Sequence, residues 1–145
     1  MPTAQQMLRM TQTELEDLFR SSPPGDIPQG DGRGTVIFAP HTVLARPVAS
    51  LAYFVAWQGK VFDPENETLL NKITPFGLKQ IRAQVYEDMS WFDGKSCIVL
   101  DYSKTSKVAH YIRDEIRAVD DRTYLGLVFW GKKLTLKFAL EFDRS

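Results

Sequence analysis

Between Ser96 and Phe142 apolar residues recur in four successive runs: Ser96–Tyr102, Ile112–Val119, Thr123–Trp130 and Leu134–Phe142. Each has the length and the β-branched and aromatic content of a strand. The last three are separated only by Asp120–Arg122 and Gly131–Lys133. Strands joined so tightly must pair antiparallel, because a parallel pair needs a crossover of about a dozen residues. Upstream, Thr35–Ala39, Lys60–Phe62, Thr68–Ile73 and Lys79–Tyr86 read as further strands. In the last of these Ile81, Ala83 and Val85 alternate with Gln80, Arg82, Gln84 and Tyr86. Asp63-Pro64-Glu65-Asn66 is a turn, and Phe92-Asp93-Gly94-Lys95 is a hairpin signal, since Asp-Gly accepts positive φ.

A different period marks the N-terminus. Met7, Leu8, Leu15, Leu18 and Phe19 share one helical stripe within Thr3–Arg20, and Thr3 with Gln6 forms a capping box; Thr11–Glu14 and Thr13–Glu16 repeat the pattern. The stripe calls for a sheet or a partner chain to cover it. Pro23-Pro24 ends this helix. Val48–Trp57 is apolar almost all round and follows Pro47, which suits a buried or capping helix over about 47–57.

The expected architecture is a single domain, 1–145, that is mainly β. A helix occupies 1–22, a Gly/Pro-rich connection 23–34, and an antiparallel meander of about eight strands over 35–142 closes into a lipocalin-like barrel. An open curved sheet wrapped on the helices is the alternative. A chain of 145 residues can bury a sizeable core. Its 43% apolar and 25% charged residues are ordinary for a globular protein. The formal net charge of zero gives no basic excess for generic nucleic-acid binding. Cys97, the one cysteine, has no internal disulfide partner and lies in a strand-like run. No signal-peptide pattern opens the chain, and Leu51–Trp57 is too short to span a membrane; a cytoplasmic location is expected.

Candidate chemistry is sparse. The glycines Gly30, Gly32 and Gly34 lack the lysine and the strand-then-helix context of a phosphate loop. His41 and His110 have no neighbours at ligand spacing, so neither a metal site nor a cofactor is expected. Alternation in Ile112–Val119 places Asp114 with Ile112, Ile116 and Ala118, which points this carboxylate into the core or cavity. The opposite face carries Arg113, Glu115 and Arg117 and reads as a solvated outer face. In the preceding strand either Asp101 or Tyr102 points inward. Lys60 faces out if Val61 is core, and pairs with an inward carboxylate if the strand is buried on both faces. Asn71, between Leu70 and Ile73, is a further inward candidate. Asp114 and Asp101 are therefore the candidate acid/base groups. Trp57, Lys60, Asn71, Tyr102, Arg113 and Tyr124 are the candidate ligand contacts.

The stretches Trp57-Gln58-Gly59-Lys60-Val61-Phe62, Leu70-Asn71-Lys72, Val99-Leu100-Asp101-Tyr102, Ile112-Arg113-Asp114-Glu115-Ile116-Arg117 and Tyr124-Leu125-Gly126 occur in an order that resembles the lipocalin-like GXWXG-type domains and their companion C-terminal domain. The likeness runs from about residue 57 to 142. The full Gly-x-Trp-x-Gly pattern is not present. The resemblance implies a calycin-type barrel that binds a lipid or other apolar small molecule. Three functions remain open: binding of an apolar or amphipathic small molecule, a cofactor-free isomerase, cyclase or lyase working from an inward aspartate with tyrosine assistance, and an interaction domain with a filled barrel. The N-terminal helix would offer a homodimer surface in the last.

Overall fold

The computed structural model describes residues 2–37, 57–73, 81–107 and 109–143. Its N-terminal region holds two short helices, α1 (Ala4–Met7) and α2 (Gln12–Ser21). The expectation of one helix over Thr3–Arg20 is thus corrected. Both capping boxes are formed: Thr3 with Gln6 opens α1, and Thr11 with Glu14 opens α2. The second box starts a new helix because its threonine takes an extended φ/ψ of −71°, 162°, which ends the first.

Eight strands follow: β1 (Gly30–Ile37), β2 (Trp57–Asp63), β3 (Thr68–Ile73), β4 (Arg82–Met89), β5 (Ser96–Asp101), β6 (Ile112–Ala118), β7 (Thr123–Trp130) and β8 (Lys133–Phe142). Each pairs antiparallel with its neighbour in sequence, and β8 returns to β1, so the sheet is a closed barrel. Closure leaves the sheet no open edge. β1 begins within the stretch assigned to the connection. Of that stretch Gly34 faces the Trp57 ring so closely that a Cβ there would collide with it. The strand can therefore run through a Gly-rich segment because neighbouring aromatic rings fill the space its side chains lack. Residues 47–56 of the expected inserted helix lie outside the described residues, and Trp57 itself opens β2. The sequence over Lys104–His110 suits a single helical turn between strands; its described residues form no helix, and Ser103–Thr105 is instead a turn followed by the Ser106 N–H donating to the Tyr102 carbonyl.

The barrel has two cores. Inside it lie Trp57, Phe62, Leu69, Ala83, Val85, Ile98, Leu100, Tyr102, Ile116, Phe138 and Leu140. Outside it, Ala4, Met7, Leu15 and Phe19 of the helices cover Cys97, Val99, Leu125, Leu127 and Ala139 on the barrel wall. Of the helical stripe, Met7, Leu15 and Phe19 are buried against the protein's own sheet and Leu18 packs partly against it, while Leu8 remains exposed. Leu15 and Phe19 are fully buried there, each worth roughly 2 kcal/mol.

The charged outer face of β6 is not solvated, contrary to its reading from the sequence. Glu115 and Arg117 are 0% and 1% exposed. Arg117 grips Asp93 with two hydrogen bonds of 2.6 and 2.7 Å and also donates to the carbonyls of Phe19, Ser96 and Lys95. It therefore ties the end of α2 to the β4–β5 turn. Glu115 accepts from the Ser90 hydroxyl and the Trp91 N–H. Paired and hydrogen-bonded charges of this kind can be buried; isolated ones cannot.

Candidate functional site

Strand β2 contains an irregularity that decides the site. Trp57 pairs with Ile73, but Gly59 pairs with Lys72, so one extra residue is inserted at Gln58. On a regular strand residues 57 and 60 would face opposite sides. The bulge resets the alternation, and Trp57, Lys60 and Phe62 all join the interior. Gly59 sits at φ +148°, and a Cβ there would collide with the Gly32 carbonyl of β1. Only glycine fits that position without strain.

Lys60 is 3% exposed, and its ammonium reaches three acceptors. These are Oδ1 of Asn71 at 2.6 Å, the Tyr102 hydroxyl at 2.6 Å and Oδ2 of Asp114 at 3.1 Å. Asn71, from β3, also accepts from the Trp57 indole N–H at 3.0 Å. Its amide nitrogen donates to the Ile81 carbonyl and to the Tyr102 oxygen, both at 2.9 Å. Tyr102, just past the end of β5, donates weakly to Asp114 at 3.4 Å. The rings of Trp57, Tyr102 and Phe138 surround the ammonium at 5.3–5.4 Å from their centroids, within cation–π range.

Burial pushes the Asp114 carboxyl above its ordinary value and the Lys60 ammonium below its own. The attraction between the two opposes both shifts. Oδ1 of Asp114 is buried and has no hydrogen-bond partner among the described residues. The pair lies on a cavity lined also by Val36, Trp57, Ile112, Val128, Leu136 and Phe138. That cavity is narrow, with a free volume of about 20 Å³.

Five of the candidates read from the sequence therefore converge: Trp57, Lys60, Asn71, Tyr102 and Asp114. Three do not. Asp101 lies on the outside, where it accepts from the Tyr86 hydroxyl at 2.7 Å and the Ser103 N–H at 2.9 Å. Burial raises its carboxyl, but those bonds outweigh burial and hold it below the ordinary value. Arg113 also points outward, pairing with Glu115 at 3.1 Å and stacking over Trp91. Tyr124 is interior but at the opposite end, donating to the Asp26 carbonyl, with its hydroxyl pushed up to about 12 by burial. Phe138 and Val128 belong to the cavity and were not singled out from the sequence. Their place in the apolar alternation of β7 and β8 was their only signal.

The chain matches no protein-family model and no curated protein. A solved structure shares its fold. It is described as a protein from Thermomonospora curvata. The TM-score is 0.61 at 20% identity, over 93% of this chain and 89% of that one. At that identity the likeness concerns the barrel alone. No helix among the described residues is long and apolar enough to cross a membrane.

Proposed function

We propose that the barrel binds a small, mostly apolar molecule bearing one polar group, seated on the Lys60–Asp114 pair. The observation that carries this reading is a buried polar cluster at an otherwise apolar cavity. A barrel filled only for stability gains little from it, because a buried ion pair is often no better than apolar residues of the same volume. Apolar walls with a few convergent polar groups are the usual make-up of a ligand pocket. The narrow free space favours a compact molecule over a long lipid chain. The sequence likeness to lipocalin-like GXWXG-type domains supports the same reading, since the stretches that carry it contain Trp57, Lys60, Asn71, Tyr102 and Asp114.

Native mass spectrometry of the purified protein, with analysis of what denaturation releases, tests the proposal. A compact apolar molecule retained near one-to-one supports it. If the protein carries nothing and also binds none of a panel of small apolar compounds, the reading fails.

A second reading, a cofactor-free isomerase, cyclase or lyase, draws on the opposed shifts of Asp114 and Lys60. Burial weakens the charged form of each group while their mutual attraction sustains it, which brings their proton affinities closer together and suits acid/base work inside the barrel. Turnover of the retained molecule, lost in Asp114→Asn, would separate catalysis from binding.

A further inference from the structure

The hydrogen-bond inventory of the cluster specifies what kind of polar group the pocket accepts, and this inference rests on the binding function proposed above. Among the described residues of the cluster every donor is in use. The three N–H groups of Lys60 face Asn71, Tyr102 and Asp114. The indole N–H of Trp57 is on Asn71, and both amide hydrogens of Asn71 are on Ile81 and Tyr102. The Tyr102 hydroxyl, which accepts from Lys60 and Asn71, turns its hydrogen toward Asp114. The amide orientation of Asn71 is consistent with this pattern, because its oxygen meets only donors and its nitrogen only acceptors. Among the described residues one buried acceptor is left over: Oδ1 of Asp114, on a residue that lines the cavity. A buried oxygen without a partner is costly, and a group that supplies a hydrogen bond recovers that cost.

We infer that the pocket selects a neutral hydrogen-bond donor, an alcohol or phenol hydroxyl, delivered to Oδ1 of Asp114. The charge balance excludes the other common polar ends. A ligand carboxylate would meet the Asp114 oxygen, and the described residues of the cluster hold no spare donor to receive it. A ligand ammonium would enter beside Lys60, adding a second cation where Asp114 already serves one. A purely apolar molecule would leave Oδ1 unpaired. A neutral donor satisfies the open acceptor without a net charge, a hydroxyl being the most compact such group, and the apolar walls from Val36, Ile112, Val128, Leu136 and Phe138 cover the rest of the molecule.

The test uses the full chain and four near-isosteric probes: benzyl alcohol, benzylamine, benzoate and toluene, with binding read by calorimetry and by NMR shifts. Benzyl alcohol should bind at least tenfold more tightly than each of the other three. In Asp114→Leu the advantage over toluene should vanish while toluene still binds. Asp114→Asn, closer in shape, serves if the leucine variant does not fold, and should reduce the advantage several-fold. Equal affinity for toluene and benzyl alcohol would overturn the hydroxyl inference yet leave an apolar binding pocket standing; Oδ1 would then be served by water alone. Tightest binding of benzoate or benzylamine would overturn it as well. Failure of all four to bind would bring down the binding function itself, and the inference with it.

Discussion

Lys60 on β2 and Asp114 on β6 meet at 3.1 Å inside the barrel, with side chains only 3% and 5% exposed. They come from strands that are not neighbours in the sheet, so their contact crosses the interior. Removing one partner strands the other in an apolar setting, whereas removing both does not. Lys60→Met or Asp114→Leu alone should each cost about 3 kcal/mol of stability. The double variant Lys60→Met/Asp114→Leu should lose clearly less than the two single losses added together. Urea unfolding of all four proteins measures the coupling, and simple additivity would mean the pair is not an energetic unit.

The Arg117–Asp93 fork predicts an acid limb in the stability curve. The guanidinium holds the Asp93 carboxyl below its ordinary value, more than offsetting the effect of partial burial. Between the folded and unfolded values the unfolded chain therefore binds the extra proton. This contribution is present above the unfolded carboxyl value, about 3.9, and is lost as pH falls through the lower folded value. Asp93→Asn should weaken the protein by roughly 2 kcal/mol at pH 7 and flatten its loss of stability below pH 4. Denaturant midpoints measured from pH 2.5 to 7 would show an unchanged acid limb if the fork had no such role.

Gly59→Ala should be among the most damaging small substitutions in β2. The position has φ +148°, and the added methyl meets the Gly32 carbonyl. A loss of about 2 kcal/mol or more is expected, with weaker ligand affinity because the bulge aims Lys60. Gln58→Ala, one residue earlier and exposed, should change stability by less than about 0.5 kcal/mol. Comparing the two by thermal unfolding isolates the backbone requirement.

Cys97 should be silent toward thiol reagents until the protein unfolds. It is 0% exposed beneath the helices, and burial pushes its thiol up to about 12. Only thiolate reacts, and access requires opening. Labelling at pH 8 should follow the unfolding rate measured independently. Fast labelling of the folded protein would show that α1 and α2 lift away from the wall.

The strands of the barrel were largely legible along the chain. Thr68–Ile73 and Thr123–Trp130 begin and end where their patterns do, because period-two alternation and turn residues are local signals. Asp114 could be assigned to the interior for a similar reason: Ile112 and Ile116 share its face, and apolar neighbours identify the buried side. The break between α1 and α2 was also written locally, in Thr11 and Glu14, but a continuous apolar stripe masks a capping box placed inside it.

The sequence by itself determined the eight-strand meander and the inward turn of Asp114, since neighbouring residues specify both. Only the tertiary structure decided that Lys60 joins that carboxylate. Alternation predicts which residues share a face, but one inserted residue at Gln58 reverses the count, and the Gly32 carbonyl that packs against the adjoining Gly59 lies on another strand. The burial of Glu115 and Arg117 was decided in the same way. Their covering layer comes from α2 and the β4–β5 turn, distant in the chain, and a buried ion pair and a solvated one share the same pattern of charges until the covering element is in place.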